Sequence, residues 1–162
     1  MADTSLSQDS SEPEAELAVV KKKLRKKQMH SGLKEESPFP QPQPCVNGVL
    51  VQGLVSHIEE DNGCFWLQRD PDKVDGVGDM LMKGQEESYG SQDTPIKGGE
   101  IKMGSAVVAE WEGNLYRGVV TAKVGSRLLV FFVDWGNADL VGEHKVRLAL
   151  QTEMQEPQLA IR

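Results

Sequence analysis

Hydrophobic and polar positions follow three different patterns along this chain. From about residue 49 the pattern changes to strand. Val49, Val51, Leu54, Val55 and Ile58 make a β-rich run, with Gly53 marking a bend. Asp61-Asn62-Gly63 is a turn signal and Cys64 to Gln68 a second strand, so a hairpin is predicted. Asp70-Pro71 then caps a helix whose Val74, Val77, Met80 and Leu81 stand at helical spacing, although Gly76 and Gly78 weaken it. A surface loop is expected over 84–100, where Gly, Glu, Ser and Gln accumulate around Pro95.

The strand pattern is clearest in the last third. Strands are predicted at 106–111, 115–123, 127–133, 139–141 and 145–150, separated by tight polar turns. Five short strands so closely spaced imply a small antiparallel barrel in a mainly β chain.

The first 48 residues show neither pattern for long. Ser11 and Glu14 form a capping box around Pro13, and Leu17, Val20 and Leu24 give one narrow stripe. A marginal helix over about 13–28 is expected. Pro38, Pro40, Pro42 and Pro44 exclude helix interior and central strand, so 31–48 is read as an extended linker. The expected organisation is a tail over 1–48, a hairpin, helix and loop over 49–100, a barrel over 101–150 and a closing segment over 151–162.

Charge sharpens that division. The net charge of −7 is unevenly spread. Lys21, Lys22, Lys23, Arg25, Lys26 and Lys27 form one basic block, 45–100 is acidic, and 101–162 is balanced. A basic stripe over a folded surface is therefore not expected, and nucleic-acid contact or nuclear import is confined to that block. The longest apolar run, Leu128 to Val133, is far short of the roughly 20 residues that span a bilayer. No secretory signal is visible at Met1 to Ser5. Cys45 and Cys64 are too few for a disulfide framework, and reduced thiols inside the cell are expected. His30, His57 and His144 are isolated, so neither a metal nor a cofactor is expected. No coherent set of catalytic carboxylates is visible, so the chain is not expected to be an enzyme.

Aromatic residues change the picture most. The chain has three Trp, two Tyr and four Phe, and Trp111, Tyr116, Phe131, Phe132 and Trp135 crowd into 25 residues. Alternation on the third barrel strand puts Leu129, Phe131 and Val133 on one face, read as the core. Phe132 then points away from that core, as does Tyr116, and Trp111 and Trp135 lie at turns. Four outward rings at one end of a barrel suit a cation, each ring giving about 0.5–2 kcal/mol to a desolvated one.

The residues Ala109-Glu110-Trp111-Glu112-Gly113-Asn114-Leu115-Tyr116-Arg117-Gly118, followed by Val130-Phe131-Phe132-Val133-Asp134-Trp135-Gly136-Asn137, resemble the Tudor domain. They resemble most the extended Tudor domains of germline and Tudor–staphylococcal-nuclease proteins. Val55 to Gln68 is similar to the family's nuclease-like hairpin, and Pro157 to Ile161 to the segment after the barrel. The resemblance covers about 49–162. It implies a five-stranded Tudor barrel with a partial nuclease-like, OB-type flank.

The resemblance also implies a binder of dimethylated arginine. Trp111, Tyr116, Phe132 and Trp135 would form the aromatic cage, and Asn137 would bond the guanidinium. Methylation keeps the charge of arginine while removing donors, which suits flat rings and a single amide oxygen. Arg-Gly or Arg-Ala repeats, in family terms on the tails of Piwi-type proteins, are the implied partners. The setting would be cytoplasmic, in perinuclear ribonucleoprotein granules, as a monomer or part of a larger assembly with indirect RNA association. The basic block makes a nuclear setting the alternative. A methyl-lysine reader of chromatin and an RNA-associated scaffold acting through 21–27 are the rival functions. Three departures stand out. Leu115 and Trp135 replace the family's tryptophan and tyrosine. The family's nuclease-like half continues past the point matching Arg162, so that half is expected to be incomplete here, with an unpaired edge, or to be completed by another segment.

Overall fold

A computed structural model describes residues 18, 19, 22, 37–89 and 100–162. The chain divides into two units, 1–35 and 36–162, and the second carries the architecture below. The predicted helix over 13–28 lies almost wholly outside the described residues; Ala18, Val19 and Lys22 are helical. Of the basic block, only Lys22 is described, and it is exposed.

The hairpin forms as β1 (Leu54–Glu59) and β2 (Cys64–Gln68). Its turn closes through Gly63 N–H to the Glu59 carbonyl at 3.1 Å and Cys64 N–H to Asn62 Oδ1 at 2.9 Å. Helix α1 (Asp72–Tyr89) follows, with Asp72 and Asp75 in the first turn, where acids suit the helix dipole. The helix runs on to Tyr89, into the segment expected to be loop; 90–99 lie outside the described residues. The reason is visible in its buried positions Val77, Leu81, Gly84 and Ser88, which keep helical spacing although the last two are not apolar. A Cβ on Gly84 would sit 2.1 Å from Glu153 Oε1, so close packing requires glycine there.

The barrel strands are β3 (Ala106–Trp111), β4 (Asn114–Val124), β5 (Arg127–Phe132), β6 (Ala138–Gly142) and β7 (Val146–Leu148). They form one antiparallel sheet in the order β6-β5-β4-β3-β7. A register shift between Val120 and Ala122 bends β4, which helps the sheet curl. A short strand β8 (Ala160–Ile161) pairs with β2, giving a second sheet in the order β1-β2-β8. The fold is mainly β with one linking helix, as the strand pattern predicts.

The core runs opposite to the predicted parity. Leu128, Val130 and Phe132 pack inside with Val107, Ala109, Val120, Val141 and Val146. Phe131 instead lies half-buried against Trp66, ring centroids 5.3 Å apart. Tyr116 likewise packs on the barrel core, while Leu115 packs with α1 residues Val77 and Leu81. The inversion has a physical cause: β5 is covered on both faces, so Leu129 and Val133 are buried as fully as Val130. Alternation marks a core face only where the other face is wet.

Phe39 corrects the reading of 31–48 as linker alone. The described part, 37–48, forms neither helix nor strand, but Phe39 is 1% exposed, and the Arg117 guanidinium lies 5.2 Å from its ring centre. The Gln158 N–H donates to the Pro40 carbonyl at 3.0 Å, and Arg69 Nη2 to the Gln43 carbonyl. A Pro-rich segment has few backbone donors to satisfy, so it can pack by a single ring.

Candidate binding site at the barrel rim

Four strands' ends bring the predicted rings together. Trp111 closes β3, paired with Asn114 across a turn whose Glu112 and Gly113 have φ of 49° and 80°. Two successive positive φ values are the signature of a type I′ hairpin turn. Tyr116 stands opposite Ala109 on β4. Phe132 ends β5 opposite Gly118, where an added Cβ would meet Val130 Cγ1 at 2.3 Å. Trp135 follows in a tight turn: its N–H and that of Gly136 both donate to the Phe132 carbonyl, at 3.2 and 2.8 Å.

The rings meet at their centroids over 5.4–6.1 Å. Tyr116 is central, 6.0 Å from Trp111, 5.4 Å from Phe132 and 6.1 Å from Trp135. Trp111 also lies 6.1 Å from Phe132. The interplanar angles run from 43° to 79°, so the rings stand as walls instead of stacking flat. Phe132 is fully buried, whereas Trp111, Tyr116 and Trp135 are half-buried. The corner is thus the mouth of the barrel core with Phe132 as its floor, not four rings on an outer face. Asn137 lies at its edge, half-buried, and its carbonyl accepts the Phe132 N–H at 2.8 Å.

Behind the rings is a rigid polar frame. Arg117 is 1% exposed and uses all five guanidinium N–H groups. Nε and Nη2 reach the two Asp134 carboxylate oxygens at 2.8 and 2.6 Å. Nη1 donates to the Glu153 and Glu156 carbonyls at 3.1 and 2.7 Å, and Nη2 also to that of Pro157 at 2.9 Å. Asp134 accepts in addition the Leu159 N–H at 3.0 Å. The residues flanking Tyr116 and Trp135 are therefore clamped to the chain's closing segment.

The hairpin sheet holds the same turn from the other side. Ser56 Oγ donates to the Trp135 carbonyl at 2.8 Å, and Gln68 Nε2 to that of Asp134 at 2.5 Å. The Trp66 ring fills the space where a Gly136 side chain would be, 2.1 Å from an added Cβ, and Gly136 has φ of +86°. Trp66 is fixed in turn by its Nε1–H to Glu59 Oε1 at 3.0 Å. Sequence reasoning did not single out Ser56, Trp66 or Gln68, whose roles arise only from contacts 66 to 79 residues away in the chain. Among the described residues, no group of His, Cys, Asp and Glu could hold a metal ion.

A small curled β sheet with an aromatic corner at its rim, braced by a hairpin sheet and a helix, is an architecture of the extended Tudor type. The family model for the Tudor domain matches residues 45–162, and the chain belongs to that family. Solved structures agree on the fold. The human TDRD1 extended Tudor domain, in complex with a symmetrically dimethylated peptide, is 20% identical with a TM-score of 0.64, over 82% of this chain and 66% of that one. Extended Tudor domain TD3 of mouse TDRD1, with a MILI peptide containing dimethylarginine, is 20% identical with a TM-score of 0.61, over 76% and 61%. The extended Tudor domain of Drosophila melanogaster Tudor-SN (p100) is 20% identical with a TM-score of 0.57, over 67% and 50%. The chain thus spans half to two thirds of the length of these structures. A comparison with curated proteins finds no match.

Proposed function

We propose that this chain is a non-enzymatic adaptor that binds dimethylarginine in peptide tails through Trp111, Tyr116, Phe132 and Trp135. The supporting observation is the ring corner itself: half-buried Trp111 and Tyr116 stand tilted by 43° and 56° against the buried Phe132, and Trp135 stands edge-on to Tyr116 at 79°. A methylated guanidinium is flat, cationic and partly apolar, so it gains cation–π attraction and burial on such walls. Asn137, at the edge of the corner, supplies an amide oxygen for a remaining N–H. Two solved structures of this fold hold dimethylated peptides, one of them from MILI, which supports Piwi-type tails and the small-RNA pathway of the germline as the setting.

The test is a calorimetric titration with one Arg-Gly peptide in unmodified and symmetrically dimethylated form, beside a trimethyl-lysine analogue. The dimethylarginine peptide is expected to bind most tightly. Trp135→Ala should weaken it by about 2- to 30-fold, the equivalent of one ring's contribution of about 0.5–2 kcal/mol. Equal affinity for the unmodified peptide sinks the proposal, and preference for the lysine analogue replaces it with the methyl-lysine reading.

A further inference from the structure

The turn that carries Trp135 draws its hydrogen bonds from two sources. The Phe132 carbonyl accepts the N–H groups of Trp135 and Gly136, and that of Val133 accepts the Ala160 N–H at 3.4 Å. The next two carbonyls, of Asp134 and Trp135, have no backbone donor among the described residues. Each is served by one side chain of the hairpin sheet: Gln68 Nε2 for Asp134 at 2.5 Å, and Ser56 Oγ for Trp135 at 2.8 Å. The other contact of Ser56 Oγ, to the Trp66 carbonyl, is longer at 3.4 Å.

These two carbonyls stand on either side of one residue. The first lies in the peptide plane before the Trp135 Cα, and the second in the plane after it. A residue has only two soft backbone dihedrals, one towards each plane. Holding both carbonyls therefore holds φ and ψ of Trp135, and with them the direction in which its ring leaves the chain. Neighbours narrow that direction further: Arg117 grips the Asp134 carboxylate, and the Trp66 ring fills the side-chain space of Gly136.

Gln68 adds an independent sign. It is 0% exposed, yet its Oε1 has no hydrogen-bond partner among the described residues. A buried, unmatched acceptor is costly. A methionine of similar shape would remove that orphan oxygen and create another, the Asp134 carbonyl. For stability the two residues nearly balance. They differ in whether the Asp134 carbonyl is held in place.

We propose that Gln68 and Ser56 are positioning residues of the ring corner, which hold Trp135 in its binding orientation before a ligand arrives. The inference rests on the reading above, that a dimethylated arginine fills the corner. Both side chains act through the backbone of the turn. A ring already aimed loses little freedom when it closes on a cation, whereas a ring that must first be ordered weakens binding.

The experiment titrates the full chain with one symmetrically dimethylated Arg-Gly peptide by calorimetry. Gln68→Met and Ser56→Ala are each introduced into the native chain and into a Trp135→Ala chain. In the native chain each is expected to weaken binding about three- to tenfold, the effect of ordering one side chain on binding. The melting temperature of Gln68→Met should stay close to the native one. In the Trp135→Ala chain neither should weaken binding further, because no ring is left to aim. This double-mutant cycle separates aiming from general support of the fold, which would weaken both chains equally. Native affinity in either single variant overturns the inference and leaves the ring reading standing. An equal loss in the two backgrounds overturns it as well. If Trp135→Ala itself binds as tightly as the native chain, both readings fall together.

Discussion

Arg117 shows how much one side chain can set. It sits between Tyr116, whose ring faces the corner, and Gly118, which permits the close crossing of β5. Its five hydrogen bonds and the ring of Phe39 leave it no freedom, and its grip on Asp134 fixes the residue just before Trp135. A buried pair of this kind is stabilising mainly in the sense that breaking it is costly. Arg117→Ala is expected to cost roughly 3–5 kcal/mol, because Asp134 and three carbonyls lose their partner. Arg117→Lys should recover only part, since an ammonium cannot serve a planar fork. Urea denaturation of the three proteins checks both statements.

At the scale of elements, the question is how α1 is held. Its inner face carries two anchors, the apolar pair Val77 and Leu81 and the polar pair Gly84 and Gln85. Gln85 Oε1 accepts from Arg147 Nε at 2.8 Å, and Arg147 binds Glu153 through both Nη atoms at 2.8 and 2.7 Å. Gly84→Ala, a change that normally favours a helix, should therefore destabilise by displacing Glu153. Gly76→Ala, at an open position, should stabilise by about 1 kcal/mol. Thermal melts of the two variants should move in opposite directions. Legibility in the sequence follows the same division. Val77 and Leu81 announce the helix, while Gly84 and Ser88 look like loop, because the burial of Gly84 depends on a carboxylate far along the chain, that of Glu153. The barrel strands are legible because their turns carry Asn and Gly. The inner face of β5 is not, since apolar residues occupy both parities. The four rings are found by type and crowding, but their depth is missed for that same reason. Trp66 and Ser56 carry no local signal at all.

On the scale of the whole molecule, the folding unit extends beyond the family match. That match begins at residue 45, yet Phe39 is as buried as Leu81 or Phe132. It covers the guanidinium that joins β4 to 153–157, so the Pro-rich segment seals the frame behind the site. Phe39→Ala should cost about 3–5 kcal/mol, the usual range for emptying a buried Phe site. A protein that begins at residue 45 should show a similar loss in its denaturation midpoint, whereas one that begins at residue 36 should not.

The placement of Trp66 has an optical consequence. The chain contains three tryptophans, and all three lie at the ring corner or against it: Trp111 and Trp135 form ring walls on Tyr116, and Trp66 lies against Gly136. The intrinsic emission of the protein therefore arises almost entirely from the proposed site. Adding a dimethylarginine peptide should shift or quench that emission without any label. Trp66→Phe should keep the change, and Trp135→Phe should remove most of it.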